Sequence, residues 1–338
     1  MKKTKQHISL LLAAFMAAGL SSCIKEDYAG ASDETATVNL VFDTRADYNG
    51  DGLDDDALPG EGIKTLRVII VDTDKDIVDV NELRDFSDET PQPVLQKTLT
   101  ILDLPAGNKE FYVIANEASV GLTGLDTPDE GEEFGEAEKT ALLSRIINDP
   151  QRTYFPAAAA EVEKKGLPIA GMATANITGT EDQTIEIPIT RAVAKMELTL
   201  TNNTGKAFAL NQIAFGEFFA DETRLFPGQA TLTSGYEVAS FTPNATLAAS
   251  GEGQTQTFTY YFYESAAGEG AYTIALNGGS DYAAAPIMVD NKPLTSINRN
   301  TQLKVTGTIE STENPVILGL KVVVMPWDEV INPDITFD

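Results

Sequence analysis

Two short stretches of the 338-residue chain carry residue types at spacings that suit chemistry. The first ends in Leu20-Ser21-Ser22-Cys23, behind a basic head of Lys2, Lys3 and Lys5 and an apolar run over 8–20. That run is shorter than the roughly 20 residues a membrane-spanning helix needs, so it reads as a signal peptide cut ahead of the cysteine. An apolar residue and two small ones before a cysteine form a lipobox, which makes the Cys23 thiol an acceptor of lipid. Each buried CH₂ of an acyl chain adds about 0.8 kcal/mol, so several chains tether a protein firmly. The second stretch is 37-TVNLVFDTRADYNGDG-52. Val38, Leu40 and Phe42 share one face at period two, as on a strand. The strand then meets Arg45-Ala46, ahead of Asp, Asn and Gly residues that predict no compact structure, and exposed tips of that kind are where proteases act. The same residues start like an EF-hand loop, with Asp47, Asn49, Asp51 and Gly52, but the twelfth position is Leu58 where a bidentate Glu is required. A partial calcium site using Asp54 or Asp55 is the alternative to a plain solvated loop; the solvated loop is adopted, with no metal and no cofactor.

The rest of the composition mainly excludes. The one histidine is His7 and the one cysteine is Cys23, so a body without its targeting segment holds neither. Disulfides, cysteine nucleophiles, Ser-His-Asp triads and Cys/His zinc sites are then ruled out. With 51 acidic side chains, a pair spaced for glycoside hydrolysis arises by chance and carries no signal, so the chain is not expected to be an enzyme. The net charge of -27 argues against nucleic acid or an anionic membrane surface as partner. Copies of the chain repel at low salt, and any assembly must rest on hydrophobic and main-chain contacts.

Around these stretches the pattern is mainly β. Residues 63–71 (IKTLRVIIV) predict a strand with Ile63, Leu66, Val68 and Ile70 in the core. Further strands are predicted over 94–102, 110–116, 184–189, 193–201, 208–215, 255–263, 271–276, 302–309 and 316–325, short and bounded by Gly, Pro, Asn and Asp. Such spacing indicates β-sandwiches. One helix is predicted over 136–148, with acids in its first turn and Pro150 past its end. Pro188 interrupts an apolar strand and marks an edge or a switch between strands. The expected division is a signal peptide (1–22), a pro-segment with a removable first strand (23–45), an N-terminal β-sandwich (46–188) and a C-terminal one (189–338).

Several short matches occur in order: the lipobox with Lys25-Glu26-Asp27 close behind it, the strand ending at Arg45, IKTLRVIIVD, KEFYVIAN (109–116), GLPIAGM (166–172), TRAVAKMELTL (190–200) and VVVMPWDEV (322–330). Together they resemble the fimbrillins of Bacteroidales, lipoprotein-derived pilin subunits, and most of all the minor-type shaft subunits. Lys-Glu-Asp behind the lipobox is similar to the surface-export tag of Bacteroidetes lipoproteins. The resemblance implies two β-sandwiches of transthyretin-like topology with one short helix in the N-terminal domain. It implies a lipidated precursor at the cell outer membrane, cleavage after Arg45 by an Arg- or Lys-specific protease, departure of the first strand, and capture of a neighbour's strand in the vacated groove.

The residues suit that route. Val38, Leu40 and Phe42 expose about 5–9 kcal/mol of apolar surface when the strand leaves, by the usual area scale. A donor can be read in 326-PWDEVINPDITFD-338, where Val330 and Ile331 precede Pro333 and Ile335 and Phe337 follow at period two. A head-to-tail contact of this kind does not close and builds a filament. Arg67 and Arg191 are placed in strands and Arg145 in the helix; Arg84, Arg152, Arg224 and Arg299 are placed in loops, so Arg45 is not the sole accessible arginine. The expected partners are copies of the chain, anchor and tip subunits, the protease, and membrane lipid through Cys23 before cleavage. The expected function is a structural fimbrial subunit in adhesion and biofilm formation. The alternatives are an anchor or tip subunit, or a surface lipoprotein that binds glycans through Tyr260, Tyr261, Phe262 and Tyr263.

Overall fold

The structure, a computed structural model, describes residues 34–44, 57–89, 93–122, 128–179, 181–228, 230–232, 235–277, 282–310 and 319–327. In the first half the strands are β1 (Thr35–Asp43), β2 (Thr65–Asp72), β3 (Ile77–Asp85), β4 (Gln96–Pro105), β5 (Gly107–Ala115), β6 (Ile146–Asn148), β7 (Ala157–Ala158), β8 (Ile169–Ile177) and β9 (Gln183–Arg191). In the second half they are β10 (Val193–Asn202), β11 (Phe208–Leu210), β12 (Ile213–Ala220), β13 (Glu222–Arg224), β14 (Tyr236–Phe241), β15 (Ala245–Leu247), β16 (Thr255–Tyr263), β17 (Thr273–Leu276), β18 (Tyr282–Pro286), β19 (Met288–Val289), β20 (Lys292–Pro293), β21 (Thr301–Ile309) and β22 (Gly319–Pro326). Helices α1 (Glu136–Leu143) and α2 (Ala159–Lys165) lie between β5 and β8. The fold is mainly β, as the patterning predicts.

Seven strands of the first half form one folded sheet, in the order β3-β2-β5-β8-β9-β1-β4. Its two arms enclose a core that holds Val38, Leu40 and Phe42 of β1 against Leu66, Val68, Ile70, Phe111 and Val113. β9 is the corner. Up to Pro188 it runs parallel to β1, and from Ile189 to Arg191 it pairs with β8 instead. Pro188, with no N–H to give to a ladder, stands where the partner changes, as its chemistry requires. Gly171 of β8 lies against this corner: a Cβ there would stand 2.1 Å from the Pro188 carbonyl oxygen, which is backbone and cannot yield cheaply.

β2 explains why IKTLRVIIV is so apolar. Leu66, Val68 and Ile70 fill the first core, while Ile69 and Val71 fill a second, so both faces are covered. That second core is shared between the halves, joining Tyr112 and Ile147 to Val193, Tyr261, Tyr263 and Trp327. The second half is a sandwich. The five-stranded sheet β22-β21-β10-β16-β7 faces the four-stranded sheet β14-β12-β17-β18. Met196, Leu198, Phe262 and Leu303 pack there against Phe215, Phe219, Ile274 and Leu276. The edge strand β7 comes from the first half, and β6 pairs with β13, so the halves interlock through their ladders.

Several expectations are corrected. The helix over 136–148 stops at Leu143, because residues 146–148 are drawn into β6 by their pairing with β13. A second helix, α2, forms from AAEVEKK, with the Glu161 carboxylate accepting the Ala158 N–H at 2.9 Å. The strand expected over 208–215 is two, β11 and β12, separated where the Asn277 side-chain oxygen accepts the Asn211 and Gln212 N–H groups at 2.8 and 3.2 Å. Tyr260, Tyr261, Phe262 and Tyr263 form no aromatic platform. All four are at most 3% exposed, divided between the two cores that sandwich β16. Replacing Gly171 with Ala is expected to destabilise the fold by about 2 kcal/mol or more, because the corner at Pro188 must open to admit a methyl group; urea unfolding measures it.

Candidate assembly site

β1 alternates strictly. Val38, Leu40 and Phe42 are fully buried and the residues between them are half-buried. The strand is internal to the sheet. It runs antiparallel to β4, with Val38 opposite Ile101 and Leu40 opposite Leu99, and parallel to β9, with Leu40 opposite Ile185 and Phe42 opposite Ile187. On the outer face, Thr100 Oγ1 donates to Asn39 Oδ1 at 2.8 Å. Among the described strands β4 pairs with β1 alone. β1 is therefore both the filler of a slot and the tie that holds the outer wall of that slot.

The strand ends at a buried polar cluster. Thr44 is fully buried, and its N–H and hydroxyl both donate to the Leu95 carbonyl, at 3.1 and 3.2 Å. Arg191, at the end of β9 and also fully buried, grips Thr44 from the other side. Its Nη1 donates to the Thr44 carbonyl and its Nη2 to the Thr44 hydroxyl, each at 3.1 Å. Its Nε and Nη2 also reach the Glu61 carbonyl at 3.4 and 3.3 Å. Thr44 and Glu61 thus meet at one guanidinium, which itself lies 4.4 Å above the Trp327 ring.

Glu61 carries the cluster into the second half. One oxygen of its buried carboxylate accepts from the Tyr261 hydroxyl at 2.5 Å and pairs with Lys195 Nζ at 2.9 Å. The other accepts the Leu58 N–H at 3.2 Å. Tyr261 stacks on Trp327 with ring centres 5.8 Å apart. Burial alone lowers the pKa of Lys195, but the charge and hydrogen bond of Glu61, helped by Glu197, outweigh it and hold the ammonium above the ordinary lysine value. Burial, then the Glu61 charge, push the Tyr261 phenol far up, so it stays a neutral donor. The stabilisation from Lys195 is complete below the unfolded lysine pKa of about 10.4 and is lost as pH rises through the higher folded value.

Residues 32–333 match the sequence profile of the fimbrillin-A associated anchor proteins Mfa1 and Mfa2. The chain belongs to that family. No curated protein matches it. Among solved structures, the tip fimbrial protein Mfa3 from Porphyromonas gingivalis, with a C-terminal truncation, has a TM-score of 0.55 and 15% identity, covering 86% of this chain and 100% of that one. A fimbrilin (fimA) from the same organism has a TM-score of 0.52 and 13% identity, covering 88% and 99%. At these identities the likeness is one of fold. Membership makes the chain part of a fimbrial family, as the resemblance in the sequence implied.

Within this Mfa-family fold, the apolar face expected of the removable strand, Val38, Leu40 and Phe42, lies in one core. Cys23, Arg45, Ala46, the candidate calcium ligands at 47–55, and the donor residues Val330, Ile331, Ile335 and Phe337 lie outside the described residues. Of the other arginines, Arg84 and Arg224 are in strands β3 and β13 rather than loops, and Arg145 is exposed beyond the end of α1. Sequence reasoning placed Arg191 as a strand residue and missed its partners. Glu61, Lys195 and Tyr261 have no local signature; what could have pointed to them is that two cations, Arg191 and Lys195, sit in an otherwise apolar junction that a buried acid must balance. Replacing Glu61 with Gln is expected to destabilise the protein by about 3 kcal/mol, the low end for breaking a buried pair, because Glu197 still faces Lys195 at 3.2 Å. Urea unfolding of the two proteins at neutral pH tests it.

Proposed function

We propose that the chain is a fimbrial subunit made as a lipoprotein precursor, lipidated at Cys23, cut after Arg45, and assembled by replacement of β1 with a strand of the next subunit. The observation that carries this reading is the position of β1. It is the first of the described strands, it fills an internal slot, and its last residue, Asp43, is two positions from Arg45. Cutting the backbone there frees no surface by itself. The three buried side chains still hold the strand with about 5–9 kcal/mol, and two ladders add to that. A competing strand that supplies the same apolar face makes exchange near-balanced, and β-augmentation on both walls supplies the main-chain bonds. An incoming strand that runs as β1 does restores both ladders, parallel to β9 and antiparallel to β4.

Residues 330–337 are the candidate donor, with Ile331, Ile335 and Phe337 at even spacing, and the contact they would make runs head to tail and extends without closing. The partners are then copies of the chain, other subunits of the fimbria, an Arg- or Lys-specific protease, and outer-membrane lipid until the cut. The product is an extracellular fimbria in adhesion and biofilm formation. The family description favours a second reading, an anchor, which keeps its lipid and β1. N-terminal sequencing of protein sheared from cells separates the two. A shaft subunit starts at Ala46 and its Arg45→Ala variant stays as unpolymerised precursor, whereas filaments made of full-length lipidated chain would refute the shaft reading.

A further inference from the structure

We propose that Arg191 determines which strands the slot accepts: it requires a side-chain hydrogen-bond acceptor at the position now held by Thr44. The proposal deepens the strand-replacement reading and rests on it. The inward face of β1 runs Ala36, Val38, Leu40, Phe42 and then Thr44, all at period two and all buried. Four positions ask only for apolar bulk. The fifth faces a fully buried guanidinium, and there the chemistry changes. The Thr44 hydroxyl and carbonyl supply two of the acceptors of Arg191, both at 3.1 Å.

Any strand in the slot offers a carbonyl at that point. Only a residue such as Thr, Ser, Asn or Asp also offers a side-chain oxygen. An apolar residue removes the hydroxyl acceptor of Nη2 at a fully buried position, and losing a bond to a charged group costs more than losing a neutral one. The guanidinium cannot turn aside. Its Nε is directed at the Glu61 carbonyl and its plane lies over Trp327, so the fork is fixed by groups that belong to neither strand. The occupant that fits is therefore an extended segment with apolar residues at period two, followed two positions on by a short polar side chain. Apolar period alone does not define it.

The test uses the uncleaved chain, with Thr44→Ser, Thr44→Val and Arg191→Lys variants, and hydrogen exchange of the peptide covering residues 35–44. Thr44→Ser should exchange as the parent does. Thr44→Val should open about tenfold more often, the factor for losing one hydrogen bond to a charged group. In the Arg191→Lys background the same change should have almost no further effect. Equal exchange of the Ser and Val variants, or an undiminished Val effect in the Lys background, would overturn the proposal. Should Arg191→Lys fail to fold, NMR exchange of the Arg191 guanidinium protons decides: faster in Thr44→Val supports it, and no change overturns it. Because the strand is still attached, these results do not depend on where a protease cuts, so a failure here is distinct from a failure of the shaft reading.

Discussion

The strand β4 has one hydrogen-bonded neighbour among the described strands, and that neighbour is β1. The first sandwich depends on this constraint. An edge strand that left would cost one ladder; an internal strand that leaves costs two and detaches its outer wall. The slot is therefore not a groove that stands ready when empty. It holds its shape only while a strand with the right face is in it. This makes simple loss of β1 unfavourable and replacement of β1 natural, since the new occupant can form before the old one has gone. On the proposed route a fimbrial joint is closed before assembly and closed after it, and the pairing order of a single subunit suits that requirement.

The polar cluster at the end of β1 adds selectivity rather than bulk stability. Buried ion pairs such as Glu61 with Lys195 contribute little relative to a well-packed apolar alternative, yet removing one member is costly. They act as a registration mark. Thr44 just past β1, Glu61 from beyond residues 45–56, Arg191 from the corner strand and Trp327, the last described residue, meet within hydrogen-bond or stacking distance. A one-residue slip of β1 would move Thr44 to the outer face and set Asp43 or Arg45 against Arg191, while also turning Val38, Leu40 and Phe42 outward. The apolar face enforces the register in both directions, and like-charge repulsion between Arg45 and Arg191 adds to it in one.

Much of this was legible in the sequence, and what was not has physical causes. The alternation of Val38, Leu40 and Phe42 announced β1, and the unbroken apolar run of β2 announced a strand covered on both faces. β8 was hidden because a central strand next to a tight corner needs small residues, and Ala170, Gly171 and Ala173 give no apolar signal. β3 was hidden because an edge strand can be polar, as Asn81, Glu82 and Arg84 are. The helix was overextended since Ile146 and Ile147 fit an apolar helical face as well as a strand; only the distant β13 decides. Glu61 and Tyr261 stand 200 positions apart and Arg191 and Thr44 stand 147 apart. Contacts of that kind belong to the fold, and no local pattern encodes them.

The central claim, that β1 must give up its place for subunits to join, is tested most directly by pinning it. Asn39 and Thr100 face each other across β1 and β4 on the outer surface, with their side chains already in contact. Cysteines at these two positions can be oxidised to tie the strand to the slot wall even after the backbone is cut at Arg45. The account predicts that the oxidised, cleaved protein stays monomeric and forms filaments once a reductant is added. Filaments that grow equally well with the bridge intact would contradict it.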